Sequence, residues 1–125
     1  MTPELQDKLY QDFPDLFREK DLPMSQTCMC WGIDTGDGWE KIIRTACEEL
    51  SALEGMEHLR FVQVKEKFGT LRLYVNDYQD AVCAIIDKAE RASEITCEVC
   101  GKPGKVGGRV WLKCLCEECR LDKKH

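Results

Sequence analysis

Two pairs of cysteines near the C-terminus constrain this chain more than any other feature. Cys97 and Cys100 are two residues apart, Cys116 and Cys119 likewise, and 15 residues separate the pairs. A two-residue spacer lets two sulfurs from one tight turn face one metal ion, and two such turns complete a tetrahedral thiolate shell. The spacing therefore predicts a zinc site made of Cys97, Cys100, Cys116 and Cys119. Gly101 stands where such a turn folds its backbone back. Residues 95–125 hold five Cys and four Gly, with no hydrophobic periodicity that could build a core. Metal binding is expected to supply the folding energy of this segment. Four sulfurs leave no position for water, so the expected zinc is structural, not catalytic. Cys114 is a rival to Cys116 as first ligand of the second pair. Cys116 is preferred because Cys116-x2-Cys119 mirrors the first pair, which leaves Cys114 as a buried spare. Two Gly-rich stretches flank Lys105-Val106, and Arg109 to Lys113 follow, which predicts a short hairpin bringing the second pair to the first.

Residues 1–94 read as an acidic α+β body. Thr2 with Pro3 starts a helix that ends before Pro14, with Leu5, Leu9 and Phe13 on one face. Residues 18–38 read as a long loop, unusual in a compact domain. Asp37 and Glu40 resemble a capping box opening a helix over 38–56, with Trp39, Ile43, Ala46, Cys47 and Leu50 at helical spacing. Residues 59–67 and 70–75 read as a hairpin turning at Phe68-Gly69, with Leu71, Leu73 and Val75 inward. Val82, Ile86 and Ala89 define a helix over 78–93. The expected fold is α+β, helices on a small antiparallel sheet, followed at 95–125 by a zinc ribbon.

Nine cysteines in 125 residues raise the question of redox compartment. The N-terminus is polar and no apolar run is long enough to span a bilayer, so a cytoplasmic protein with reduced thiols is expected. Cys47 and Cys83 are expected to be buried on helix faces. Cys28-Met29-Cys30 sits in the long loop, where Met29 and Trp31 are expected to pack the chain down. A second metal site or a redox role there is the weaker reading.

The net charge of −5 is uneven. Residues 1–96 carry 11 Lys/Arg against 19 Asp/Glu, or −8, and residues 97–125 carry 7 against 4, or +3. An acidic body repels nucleic acid and favours basic protein surfaces. No nucleophile elbow, Walker loop or zinc-protease helix motif is present, and His58 reads as an exposed boundary residue. The expectation is a protein that is not an enzyme. Two binding readings follow. In the first, Asp12, Asp15, Glu19 and Asp21 meet a basic groove of a protein partner, with Trp31 as anchor. In the second, Lys102, Lys105, Arg109 and Lys113 form a basic strip and Trp111 stacks on a base. Trp111 packing the ribbon against the body is the competing structural role.

Five stretches resemble a known family. They are Lys20-Asp21-Leu22-Pro23-Met24, Cys28-Met29-Cys30-Trp31-Gly32, Gly36-Asp37-Gly38-Trp39, Val64-Lys65-Glu66-Lys67-Phe68-Gly69-Thr70-Leu71-Arg72 and Cys97-Glu98-Val99-Cys100-Gly101-Lys102-Pro103-Gly104. Together they resemble small zinc-ribbon proteins of tailed bacteriophages and prophages. The family's second half-site can read Cys-x2-His, with His at the place of Cys119 and no Cys at that of Cys114. The resemblance thus implies Cys97, Cys100, Cys116 and Cys119 as the ligands. It also implies a phage setting, where small acidic proteins without catalytic motifs are often inhibitors of host machinery, anti-CRISPR proteins among them.

Overall fold

A computed structural model describes residues 1–121, and the last four residues, His125 included, lie outside them. The fold is α+β. Four helices, α1 (Pro3–Asp12), α2 (Glu40–Ser51), α3 (Asp80–Ser93) and α4 (Glu117–Leu121), accompany two small sheets. The first sheet runs β1 (Ile33–Asp34), β2 (Phe61–Lys67), β3 (Thr70–Val75); the second pairs β4 (Lys105–Gly107) with β5 (Lys113–Leu115). No described helix is long and apolar enough to cross a membrane.

Alternation builds the β2–β3 hairpin. Val64 pairs with Leu73 and both are buried, as is Leu71 opposite Glu66, while Lys65 and Arg72 face the other way. α2 and α3 cover the buried face with Ile43, Ala46, Leu50, Val82, Ile86 and Ala89. Phe17 and Phe61 sit with ring centroids 5.1 Å apart inside the same core. β3 is an edge strand, and side chains rather than another strand satisfy its outward amides. Leu71 N–H donates to Ser93 Oγ at 2.9 Å, Leu73 N–H to Glu90 at 3.2 Å and Val75 N–H to the Tyr78 hydroxyl at 3.2 Å. Such capping blocks edge-to-edge pairing with another chain.

Several expectations are corrected. The sheet is mixed, because β1 lies inside the segment expected to be loop and runs parallel to β2. Two residues are too few to show alternation, and Ile33 is held there by its own burial and by Gln6 Oε1, which accepts its N–H at 2.8 Å. α2 is shorter than expected and is preceded by a 3-10 turn at Asp37–Trp39. Asp37 forms no capping box; its carboxylate accepts the Thr2 N–H at 2.7 Å. A second 3-10 turn at Met29–Trp31 separates neighbours expected to pack together. Met29 is fully buried, whereas Trp31 is 67% exposed. Cys47 is buried but Cys83 is only partly so. Trp111 does not pack against the body and is 73% exposed.

Glu19, expected on a partner surface, is buried at 7% exposure, and Arg60, 41 residues away, donates from Nε to its carboxylate. Burial pushes this carboxyl up, but the neighbouring Thr27 hydroxyl and the Arg60 guanidinium bonded to it outweigh that and hold it below its ordinary value. A depressed carboxyl adds stability above its unfolded value of 4.5 and loses it as pH falls through the folded value. Glu19→Gln is therefore expected to cost about 2 kcal/mol at neutral pH. Urea denaturation should show the gap from wild type closing below pH 4.5. A gap that does not change with pH would contradict the role of the charge.

Candidate metal centre and its dock

The first cysteine pair is shaped by its own backbone. Cys97 N–H donates to Lys102 O at 2.7 Å and Gly101 N–H returns to Cys97 O at 2.9 Å. Gly101 sits at φ +82°, a conformation that side-chain-bearing residues rarely adopt. β4 and β5 then carry the chain back, and Cys116 opens α4 with Arg120 N–H on its carbonyl at 3.0 Å. Cys119 N–H points at Cys116 Sγ at 3.4 Å, which ties the second pair into one turn.

The four sulfurs of Cys97, Cys100, Cys116 and Cys119 all lie within 4.8 Å of one another, and Cys100 and Cys116 Sγ are 3.6 Å apart. In a tetrahedron with metal–sulfur bonds of about 2.3 Å the sulfurs sit roughly 3.8 Å apart. The group is therefore sized to hold one metal ion. Its electrostatics ask for a cation. Burial pushes the Cys97 thiol up, but N–H groups of Cys116, Cys100 and Val99 outweigh this and bring it down to about 6. Cys119 is pushed well up, by burial and by the neighbouring sulfurs. Crowded thiols cannot all ionise together unless a positive ion compensates them. Cys114 stands apart from the cluster. It is fully buried, its thiol meets Glu94 O at 3.3 Å, and it packs into the main core.

The long 18–38 segment ends in the dock for this centre. Gly36 N–H donates to Glu98 Oε2 at 2.9 Å and Gly38 N–H to Glu98 O at 2.7 Å. The fully buried Trp39 donates from Nε1 to Thr96 O at 2.8 Å. Glu98, only 7% exposed, also donates its N–H to Cys114 O at 2.9 Å and lies 3.7 Å from Lys113 Nζ. Cysteine spacing alone does not mark Gly36, Gly38, Trp39 or Glu98 as site residues. The available signal was the pair of alternate glycines before a tryptophan, which suits close backbone approach as well as a helix start.

The residues expected to bind partners fall into different places. Asp21 and Trp31 line one open groove of about 320 Å³ together with Asp7, Tyr10, Lys20 and Cys30. Negative charge there is felt by Tyr10, whose phenol is pushed up to about 12 by burial and by Asp7 and Asp21. Asp15 is exposed outside the groove, and Asp12 is engaged by Arg44 at 2.7 Å and Lys8 at 3.1 Å. Among the basic residues, Lys113 is committed to Glu66 at 3.1 Å, and Lys102 lies 3.6 Å from Glu118. Lys105, Arg109 and Trp111 are exposed. His58 is exposed and meets Asp77 at 2.7 Å.

No family model, curated protein or solved structure matches this chain.

Proposed function

We propose that this chain is a zinc-stabilised, non-enzymatic binding protein of phage type that acts in the bacterial cytoplasm. It docks on a basic surface of a host protein complex and blocks it, as inhibitors of host defence do, a CRISPR effector being one such target. One observation carries the reading: Trp31, 67% exposed, stands in a groove whose exposed acids are Asp7 and Asp21. An exposed aromatic flanked by acids suits a basic partner, with the ring as anchor and the charges as guide. Asp12 and Glu19 belong to ion pairs that link separate parts of the fold and are left out of this surface, whereas Asp21 pairs at 2.6 Å only with its sequence neighbour Lys20 and keeps its side chain 84% exposed.

The zinc reading rests on the four-sulfur group and supplies structure alone, since thiolates fill the shell. Metal analysis of the purified protein should find about one zinc per chain. For the partner, affinity purification from bacterial lysate with mass spectrometry should recover a host protein with a basic surface. The double variant Trp31→Ala, Asp21→Lys should lose it, by roughly 100-fold or more in affinity if the ring is a hot spot. No host protein, or equal recovery by the double variant, would overturn the reading.

A further inference from the structure

The tips of the two hairpins meet. Gly69 of the β2–β3 turn is buried against the second hairpin, where a Cβ would come within 2.9 Å of Val106 and 3.4 Å of the Leu112 backbone. Around this junction four large apolar side chains face solvent: Phe68 at 65% exposure, Val110 at 95%, Trp111 at 73% and Leu112 at 40%. They share an open depression of about 300 Å³ with Glu66 and Lys67. A contiguous exposed patch of this kind marks an interaction site more often than scattered single residues do.

Phe68 adds an independent observation. It has φ +55°, and with Gly69 at +83° it forms a two-residue hairpin loop whose central positions both have positive φ. Asn, Asp or Gly ordinarily fills the first of these, and a bulky aromatic there is an outlier. Burial does not compensate the strain, because the ring is mostly in water. Strain kept at an exposed position points to use of the side chain rather than to the fold.

The charges identify the occupant. Lys67 lies over the Phe68 ring at 5.6 Å, and Arg109 is exposed beside Val110. Among the described residues neither cation pairs with a carboxylate, whereas Glu66 is neutralised by Lys113. Two open rings with two unpaired cations match a ligand that has both flat π-faces and negative charge. We propose that the joined tips of the β2–β3 and β4–β5 hairpins bind single-stranded nucleic acid, Phe68 and Trp111 stacking on bases and Lys67 and Arg109 meeting phosphates. A duplex hides its base faces and would bring dense charge against the −8 of residues 1–96. An anionic membrane would also confront that charge over a wide area. A single strand needs only the tip, and salt at physiological strength screens the body beyond about 8 Å.

This site is separate from the Trp31 groove, so it stands or falls independently of the protein partner. The test is fluorescence anisotropy of a labelled 12-nucleotide oligothymidine with the zinc-loaded protein. Trp111→Ala and Phe68→Ala should each weaken binding roughly 5- to 150-fold, while Trp31→Ala leaves it unchanged. The logarithm of the affinity should fall against that of salt concentration with a slope of about −1.4, for two phosphates on a single strand. Phe68→Asn guards against a folding artefact: Asn suits the turn, so this variant should melt at or above the wild-type temperature yet bind weakly. No binding at low salt, undiminished binding by Phe68→Asn, or capture by phosphatidylserine vesicles or a poly-glutamate peptide in place of the oligonucleotide would overturn the proposal.

Discussion

Cys97→Ser, or chelation of the bound metal, is expected to release residues 95–121 from the body and expose Trp39 to water. The segment's own core is small, and its dock on the body depends on the shape that the sulfurs hold. Its buried cluster consists of Cys97, Leu115 and Cys116, with Cys119 packed against them. Structural zinc contributes an apparent 10–16 kcal/mol in comparable peptides, more than the whole stability of many domains. Trp39 reports the release because it is fully buried and its indole donates to Thr96, while Trp31 and Trp111 are already exposed. Emission should shift to the red in Cys97→Ser, and amides of β4 and β5 should lose protection from hydrogen exchange. Cys114→Ser is the control. Cys114 lies in the main core, outside the sulfur cluster, so its loss should cost about 1–3 kcal/mol and leave the metal in place. Metal lost from Cys114→Ser and kept by Cys97→Ser would sink this assignment of ligands.

The four-cysteine cluster was legible because its information is local. Two residues between cysteines put sulfurs on one side of one turn wherever the turn sits. The periodic helices and the β2–β3 hairpin were legible for a similar reason, since Ile43, Ala46 and Leu50, or Leu71, Leu73 and Val75, display their period within a few residues. What the sequence concealed is tertiary. Glu19 looks like any surface acid until Arg60 is brought to it from 41 residues away. Met29 and Trp31 are close neighbours with opposite fates, because the 3-10 turn between them directs one inward and the other out. β1 is a strand only through its pairing with Val64 and Lys65. The Gly36–Trp39 segment does lead into α2, through a 3-10 turn rather than a capping box, and its second use became visible only with Glu98 and Cys97 against it. The two expected parts of the chain thus meet through hydrogen bonds and through Cys114 and Val106, which join the body's core.

Gly38→Ala is the sharpest test of that dock, because it disturbs the contact without touching a metal ligand. A Cβ at Gly38 would lie 2.1 Å from Cys97 O, 2.6 Å from Gly101 N and 2.7 Å from the carbonyl carbon of Glu98. All three atoms are backbone, so no rotamer change relieves the clash. The cysteine turn must move away as a unit, which breaks the Gly38–Glu98 and Trp39–Thr96 hydrogen bonds. The expected cost is about 3–5 kcal/mol: up to about 3 for inserting a methyl into a packed site, plus about 1 for each of the two hydrogen bonds lost. Gly55→Ala provides the comparison. Gly55 has φ +73° but nothing within 4 Å of its added Cβ, so only backbone strain remains, about 1 kcal/mol. The metal should stay at one per chain in Gly38→Ala, because the turn that presents Cys97 and Cys100 is closed by its own hydrogen bonds. The distinguishing signature is therefore an exposed Trp39 in a protein for which metal analysis still finds one ion per chain. A melting temperature for Gly38→Ala equal to that of Gly55→Ala, with Trp39 still protected, would show that the contact does not hold the two parts together.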